Sequence, residues 1–198
     1  GKVRHEVYRN GQTRRDRHIV FSVTKSFTGL LAEMLIEDGV LDDRRLVSEY
    51  VTELGQGAYA DATVRHVLDM EVGIDFSEVY DDPQSDIRQF AYSSGMRVIP
   101  DGVAAHDCLY DYLPTLRKRG EHGHDFHYVT ANSEVLGWVI EHVTETPIVR
   151  LFGERIYEQI GAERDAFYMT DPCGIAIAGG GMCVTAADML RLALLVAN

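Results

Sequence analysis

The chain has 198 residues, 45% hydrophobic and 25% charged, a balance that suits one large globular domain or two small ones. Its net charge of −12, from 31 acidic against 19 basic side chains, argues against a nucleic-acid partner, which would need clustered Lys and Arg. No apolar run approaches the roughly 18 residues of a membrane span, no signal peptide is legible at the start, and three cysteines (Cys108, Cys173, Cys183) without a Cys-x-x-Cys pair point to a reducing, cytoplasmic setting.

Residues 2–8 alternate in the manner of a strand. Asn10-Gly11 is a hairpin turn signal, and a second strand is expected from His18 to Phe21. Phe27, Leu30, Leu31, Met34 and Leu35 then recur at offsets of three and four, the stripe of an amphipathic helix that Gly39 closes. Thr63 caps a short helix with Val64, Val67 and Leu68 on its buried side, and Gly73 ends it. From Asp75 to His127 the periodicity lapses, except for a brief helix over Leu109 to Leu116. Irregular stretches of this length often build a binding wall or a lid, and Tyr80, Tyr92, Tyr110 and Tyr112 suggest a partly aromatic one. The helical period returns with Val135, Leu136, Val139 and Ile140; Thr146-Pro147 opens a further helix that runs to Gly161. Residues 166–170 and 174–178 read as a strand pair. Gly179-Gly180-Gly181 permits a sharp backbone excursion, and Thr185 with Asp188 caps a last helix. The pattern is helix-rich α+β, with few strands at the two ends, and is read as a single domain over residues 1–198.

The chemistry starts at Ser22 and Lys25. Three residues apart at a helix start, they share a face. A serine hydroxyl needs a neighbouring base before it attacks a carbonyl, and a lysine amine can be that base. The open N–H groups and the positive dipole end of the first turn favour an oxyanion and disfavour a protonated lysine. A plain serine N-cap beside a solvated lysine has the same spacing, so spacing alone leaves both readings open. Tyr128 stands just before the apolar helix that holds Trp138, where a rigid element would orient its phenol; a half-buried aromatic with a surface hydroxyl is the alternative.

Phe21-Ser22-Val23-Thr24-Lys25-Ser26-Phe27-Thr28-Gly29 resembles the nucleophile motif of the serine β-lactamase and penicillin-binding-protein superfamily. Residues 37–42 and 63–70 are similar to segments that follow it there. Tyr128, nine residues before Gly137, is similar to the tyrosine of the class C branch, and Gly180-Gly181-Met182 with Thr185-Ala186-Ala187-Asp188 to a later segment. The likeness covers nearly the whole chain in consistent order and leads to the group of 6-aminohexanoate-dimer hydrolases and carboxylesterases. It implies a β-lactamase-like fold, mainly its helical part with an incomplete antiparallel sheet. By the same resemblance Ser22 is the acylated nucleophile, Lys25 takes its proton, and Tyr128 protonates the leaving group and later activates water. The Ser22 N–H forms half of an oxyanion hole. A small ester, linear amide or β-lactam would be the substrate, with no cofactor or metal, and a homodimer is expected on resemblance alone.

Three positions depart from that pattern. The third family motif, Lys or His followed by Ser or Thr and Gly on a strand, has no match, and Lys118-Arg119-Gly120 is chemically different. The chain is therefore expected to be a truncated copy lacking one wall of the site. Thr130 stands where an Asn is usual; Thr130 and Asn132, the latter two further on and able to substitute for that Asn, are the substrate-binding residues the resemblance implies. Glu71-Val72-Gly73 replaces a commoner Ser-Gly ending. The competing reading is a catalytically inactive relative whose cleft binds a ligand or partner. His122, His124 and His127 with Glu121 and Asp125 lack a helical frame for zinc. Asp81, Asp82 and Asp86 lack the spacing of a calcium loop, and the glycine run lacks the Lys-Ser/Thr of a phosphate cradle.

Overall fold

The structure, a computed structural model, describes residues 3–197. In chain order, β1 (Arg17–Ile19) leads into α1 (Val23–Glu37), α2 (Val47–Tyr50) and α3 (Val64–Leu68). β2 (Ile74–Asp75), α4 (Asp86–Ser93), α5 (Leu109–Tyr112) and β3 (Arg117–Lys118) form the middle of the chain. α6 (Thr130–Thr144), α7 (Ile148–Phe152), β4 (Phe167–Tyr168), β5 (Met182–Thr185) and α8 (Ala186–Ala197) complete it. This is the helix-rich α+β architecture expected from the pattern.

α6 occupies the centre. Every residue from Thr130 to Ile140 is buried: Val135, Leu136, Trp138, Val139 and Ile140 by apolar packing, and the polar Asn132 and Glu134 with hydrogen-bond partners. Phe27, Leu31 and Leu35 of α1, and Val64 and Val67 of α3, belong to the same core as Val135, Val139 and Ile140 of α6. Trp138 stacks on Tyr110 with ring centroids 3.8 Å apart. Local stop and start signals act as read: Gly39 ends α1 at φ 69°, Thr63 Oγ1 accepts the His66 N–H at 3.2 Å, and Thr185 Oγ1 accepts the Asp188 N–H at 3.1 Å. Among the described residues no helix is long and apolar enough to cross a membrane.

The sheet differs from expectation. Residues 3–8 form no strand, and Lys2 lies outside the described residues. The Asn10-Gly11 turn exists, with φ of 55° and 76°, but β1 pairs instead with β5, Arg17 opposite Thr185. β5 lies between β1 and β4 and is antiparallel to both. Met182 and Val184 of β5 are buried, whereas the charged 3–8 segment offers no comparable apolar face. Residues 174–178 make one bridge, Thr170 to Ala176, rather than a strand. The Asp171 carboxylate explains this: it accepts the N–H groups of Cys173 (2.9 Å), Ile175 (2.9 Å) and Leu109 (3.0 Å), which turns the chain locally. The helix expected to run to Gly161 ends at Phe152 and continues as a π turn over Gly153–Tyr157. α4 was not anticipated.

Candidate active site

The site begins where β1 hands the chain to α1. The Val20 N–H bonds the Met182 carbonyl at 2.9 Å, carrying the β5 ladder one residue past β1. Phe21 then turns the chain with φ 44°, a left-handed conformation that is costly for a bulky residue and is held here by the flanking strand and helix. Ser22 is thereby set at the N-cap of α1, yet its side chain makes no cap hydrogen bond. The Tyr128 hydroxyl donates to Ser22 Oγ at 2.8 Å instead, and Lys25 Nζ lies 3.2 Å from the same oxygen. Lys25 Nζ also donates to the Gly179 carbonyl and sits 5.5 Å from the centre of the Tyr128 ring. Hydroxyl, amine and phenol meet at one point.

Tyr128 arrives there along a backbone run beside residues 70–75. Arg119, Gly123 and His127 donate their N–H groups to the carbonyls of Gly73 (2.9 Å), Glu71 (2.9 Å) and Met70 (2.7 Å). Gly73 is required by this approach, since a Cβ there would lie 2.5 Å from the Glu121 carbonyl oxygen. His122 helps pin the run. Its Nδ1 accepts the Gly73 N–H at 3.0 Å and its Nε2 is 3.0 Å from Asp61.

The strap of residues 176–182 closes the other side. Thr28 Oγ1 donates to the Ala178 carbonyl at 2.7 Å, and Thr24 Oγ1 accepts the Met182 N–H at 3.2 Å. None of Gly179, Gly180 and Gly181 has positive φ, so the run is not the backbone excursion expected. It answers a need for close approach: a Cβ on Gly181 would meet the Ile177 carbonyl oxygen at 2.8 Å, and one on Gly179 would meet Glu134 Oε1 at 2.8 Å. From below, Gly137 of α6 lets the strap sit against the helix, where a Cβ would come 2.6 Å from Ala178 Cβ. Glu134 accepts the N–H groups of Ala178 (2.8 Å) and Gly179 (2.6 Å). Burial pushes its carboxyl up to about 7, against the downward pull of those two N–H groups.

A cavity of about 190 Å³ opens beside Ser22, Lys25 and Gly179, walled by Tyr80, Phe90, Met96 and Thr130 among others. Thr130 lines it, and its N–H donates to Glu78 Oε1 at 2.7 Å. Asn132 does not reach the cavity, which corrects its expected role. It is fully buried, with Oδ1 accepting the Tyr59 hydroxyl at 2.9 Å and Nδ2 against Met70 Sδ at 3.5 Å. Two residues apart on a helix do not share a face, so Thr130 and Asn132 could not both look into the cleft. Of the four tyrosines expected in the wall, Tyr80 lines the cavity; Tyr92 and Tyr112 are buried, and Tyr110 is stacked on Trp138.

Sequence reasoning missed Glu134 and the α4 wall. Each left a signal: Glu134 is an acid inside an apolar helical stripe, and α4 begins at Ser85-Asp86 with Ile87, Phe90 and Ala91 at offsets of three and four.

The family model described as beta-lactamase matches residues 3–198. The chain belongs to the beta-lactamase family. A 6-aminohexanoate-dimer hydrolase of Paenarthrobacter ureafaciens is 38% identical over 187 residues, 94% of this chain and 47% of the relative. A Bacillus anthracis protein provisionally named a 6-aminohexanoate-dimer hydrolase superposes with a TM-score of 0.88 at 29% identity, over 97% of this chain and 50% of that one. A penicillin-binding protein from Bacillus halodurans shares the fold, with a TM-score of 0.69 at 20% identity over 93% of this chain and 61% of that one. The beta-lactamase family chain described here thus spans about half the length of the two dimer-hydrolase relatives.

Proposed function

We propose that this chain carries the acyl-transfer centre of a serine hydrolase that cleaves a small ester or amide. The observation that supports it is the convergence of Lys25 Nζ and the Tyr128 hydroxyl on Ser22 Oγ, at 3.2 and 2.8 Å. Ser22 Oγ attacks the substrate carbonyl while Lys25 takes the proton, giving a tetrahedral oxyanion. The Ser22 N–H, which has no acceptor among the described residues, supplies one oxyanion donor. Collapse to the acyl-enzyme expels the alcohol or amine, protonated by Tyr128, and water then reverses the sequence. Thr130 borders the acyl group. The wall drawn from residues 75–127 decides between ester, linear amide and lactam.

The test is labelling by a fluorophosphonate probe, with turnover of an ester and amide panel, on the protein at its full natural length. Labelling that disappears in Ser22→Ala is expected. A folded protein that takes no label, or a Ser22→Ala variant that still does, overturns the reading. Tight ligand binding without turnover would favour the non-catalytic alternative.

A further inference from the structure

Glu134 is a buried carboxyl, 3% exposed, that the chemistry above leaves unused. Both of its oxygens are engaged by backbone: Oε2 accepts the Ala178 N–H at 2.8 Å and Oε1 the Gly179 N–H at 2.6 Å. Two acceptor oxygens suit the ionised form. A protonated carboxyl keeps one good acceptor and turns the other oxygen into a donor facing a donor. The far end of Gly179 is its carbonyl, which accepts a hydrogen bond from Lys25 Nζ. A neutral amine has two N–H bonds and one lone pair. Lys25 Nζ also donates to Ser22 Oγ, 3.2 Å away; acting as the base in its neutral form, with one N–H kept on the Gly179 carbonyl, it would turn its lone pair to that oxygen. Where that carbonyl points therefore decides where the base points.

We propose that Glu134 is a positioning residue: ionised, it clamps the backbone at Ala178 and Gly179 so that the Gly179 carbonyl aims Lys25 at Ser22, and protonated, it releases the clamp. The inference rests on Ser22 and Lys25 being the nucleophile and base. The clamp has a second jaw in Thr28, whose hydroxyl holds the Ala178 carbonyl at 2.7 Å. It also has little slack, because a Cβ on Gly179 would fall 2.8 Å from Glu134 Oε1 and 3.4 Å from Lys25 Nζ. The ionisable groups facing Glu134 are Lys25 from α1, which in its ammonium form favours the carboxylate, and Asp171 from the β4–β5 connection, which opposes it. The Tyr110 and Tyr168 hydroxyls face it from α5 and β4. Burial outweighs these and pushes the carboxyl up to about 7, so the protonated form gains population as the pH falls through that value.

The experiment measures kcat and KM against pH, with an ester the protein turns over, for wild type, Glu134→Gln and Glu134→Asp. Wild type is expected to lose kcat as pH drops through about 7. Glu134→Gln puts an amide N–H against a backbone N–H and cannot titrate. Its kcat should fall by about tenfold or more with KM within about twofold, and its acid limb should move by about half a pH unit or more. Glu134→Asp keeps the charge on a shorter arm and should recover a wild-type acid limb at reduced kcat. Wild-type kcat in Glu134→Gln, or a lowered kcat with the wild-type acid limb, overturns the proposal by reducing Glu134 to a packing role. So does a wild-type profile without an acid limb near neutrality, a result that needs no variant to fold. A wild type that turns over no substrate and takes no fluorophosphonate at any pH removes the Ser22 reading itself, and the clamp with it.

Discussion

The two sides of the cleft are held by different means. On the Ser22 side, Ser22, Lys25 and Gly179 are fixed by buried partners: Thr24 and Thr28 on α1, Glu134 on α6, and a strap that glycine allows to lie against the helix. On the facing side, Tyr80, Met96 and Arg97 come from loops, and Arg88 from the short helix α4. Tyr80 is 57% exposed, and its hydroxyl bonds the nearby Glu78 at 2.8 Å. Groups that must hold reacting atoms within fractions of an ångström need a rigid, doubly supported frame, whereas groups that recognise substrate can vary on loops.

Gly137→Ala attacks the rigid side most directly. The added methyl would meet Ala178 Cβ at 2.6 Å, and overpacking of this kind costs about 1–3 kcal/mol. The denaturant midpoint should fall, and kcat with it, because the displaced strap carries Gly179. An unchanged midpoint would mean that strap and helix yield freely. Tyr80→Ala probes the facing wall. It should raise KM about three- to tenfold while leaving kcat and the midpoint near wild type, since uniform binding is lost and the clamp is untouched. A large fall in kcat with unchanged KM would blur the contrast between the two sides. The smallest effect is expected at the exposed Asp61. Lys118 and His122 beside it hold its carboxyl down at about 2, below its usual 3.8. A depressed carboxylate stabilises above its unfolded value and loses that contribution as pH falls through its folded one. Asp61→Asn should therefore lower the midpoint slightly at pH 7 and converge with wild type near pH 2, the effect being small because the pair is exposed. A difference that persists at the low end would assign it to something other than the charge.

The legible parts of the sequence were local ones. The Ser22 helix, its end at Gly39, the Thr63 and Thr185 caps and the buried face of α6 follow from spacing and capping chemistry, which act within a few residues. Asn132 shows the limit. Its position two residues past Thr130 suggests a substitute for the missing Asn, but the turn of α6 faces it to Tyr59 in the interior. The glycine run was correctly seen as special and wrongly explained, because close approach depends on a neighbour, α6, that spacing does not reveal. The apolar pattern of α4 spans only eight residues, too short to stand out from an irregular surround.

By itself, then, the sequence determined that a serine and a lysine share the first turn of α1 and that a tyrosine stands at the entrance to a buried helix. Only the tertiary structure decided that Tyr128, 106 residues on, reaches Ser22, that β1 takes β5 rather than residues 3–8 as its partner, and that Glu134 accepts the N–H groups of Ala178 and Gly179. Capping and periodicity act within a few residues, whereas these contacts depend on which faces bury against which, and folding of the whole chain sets that.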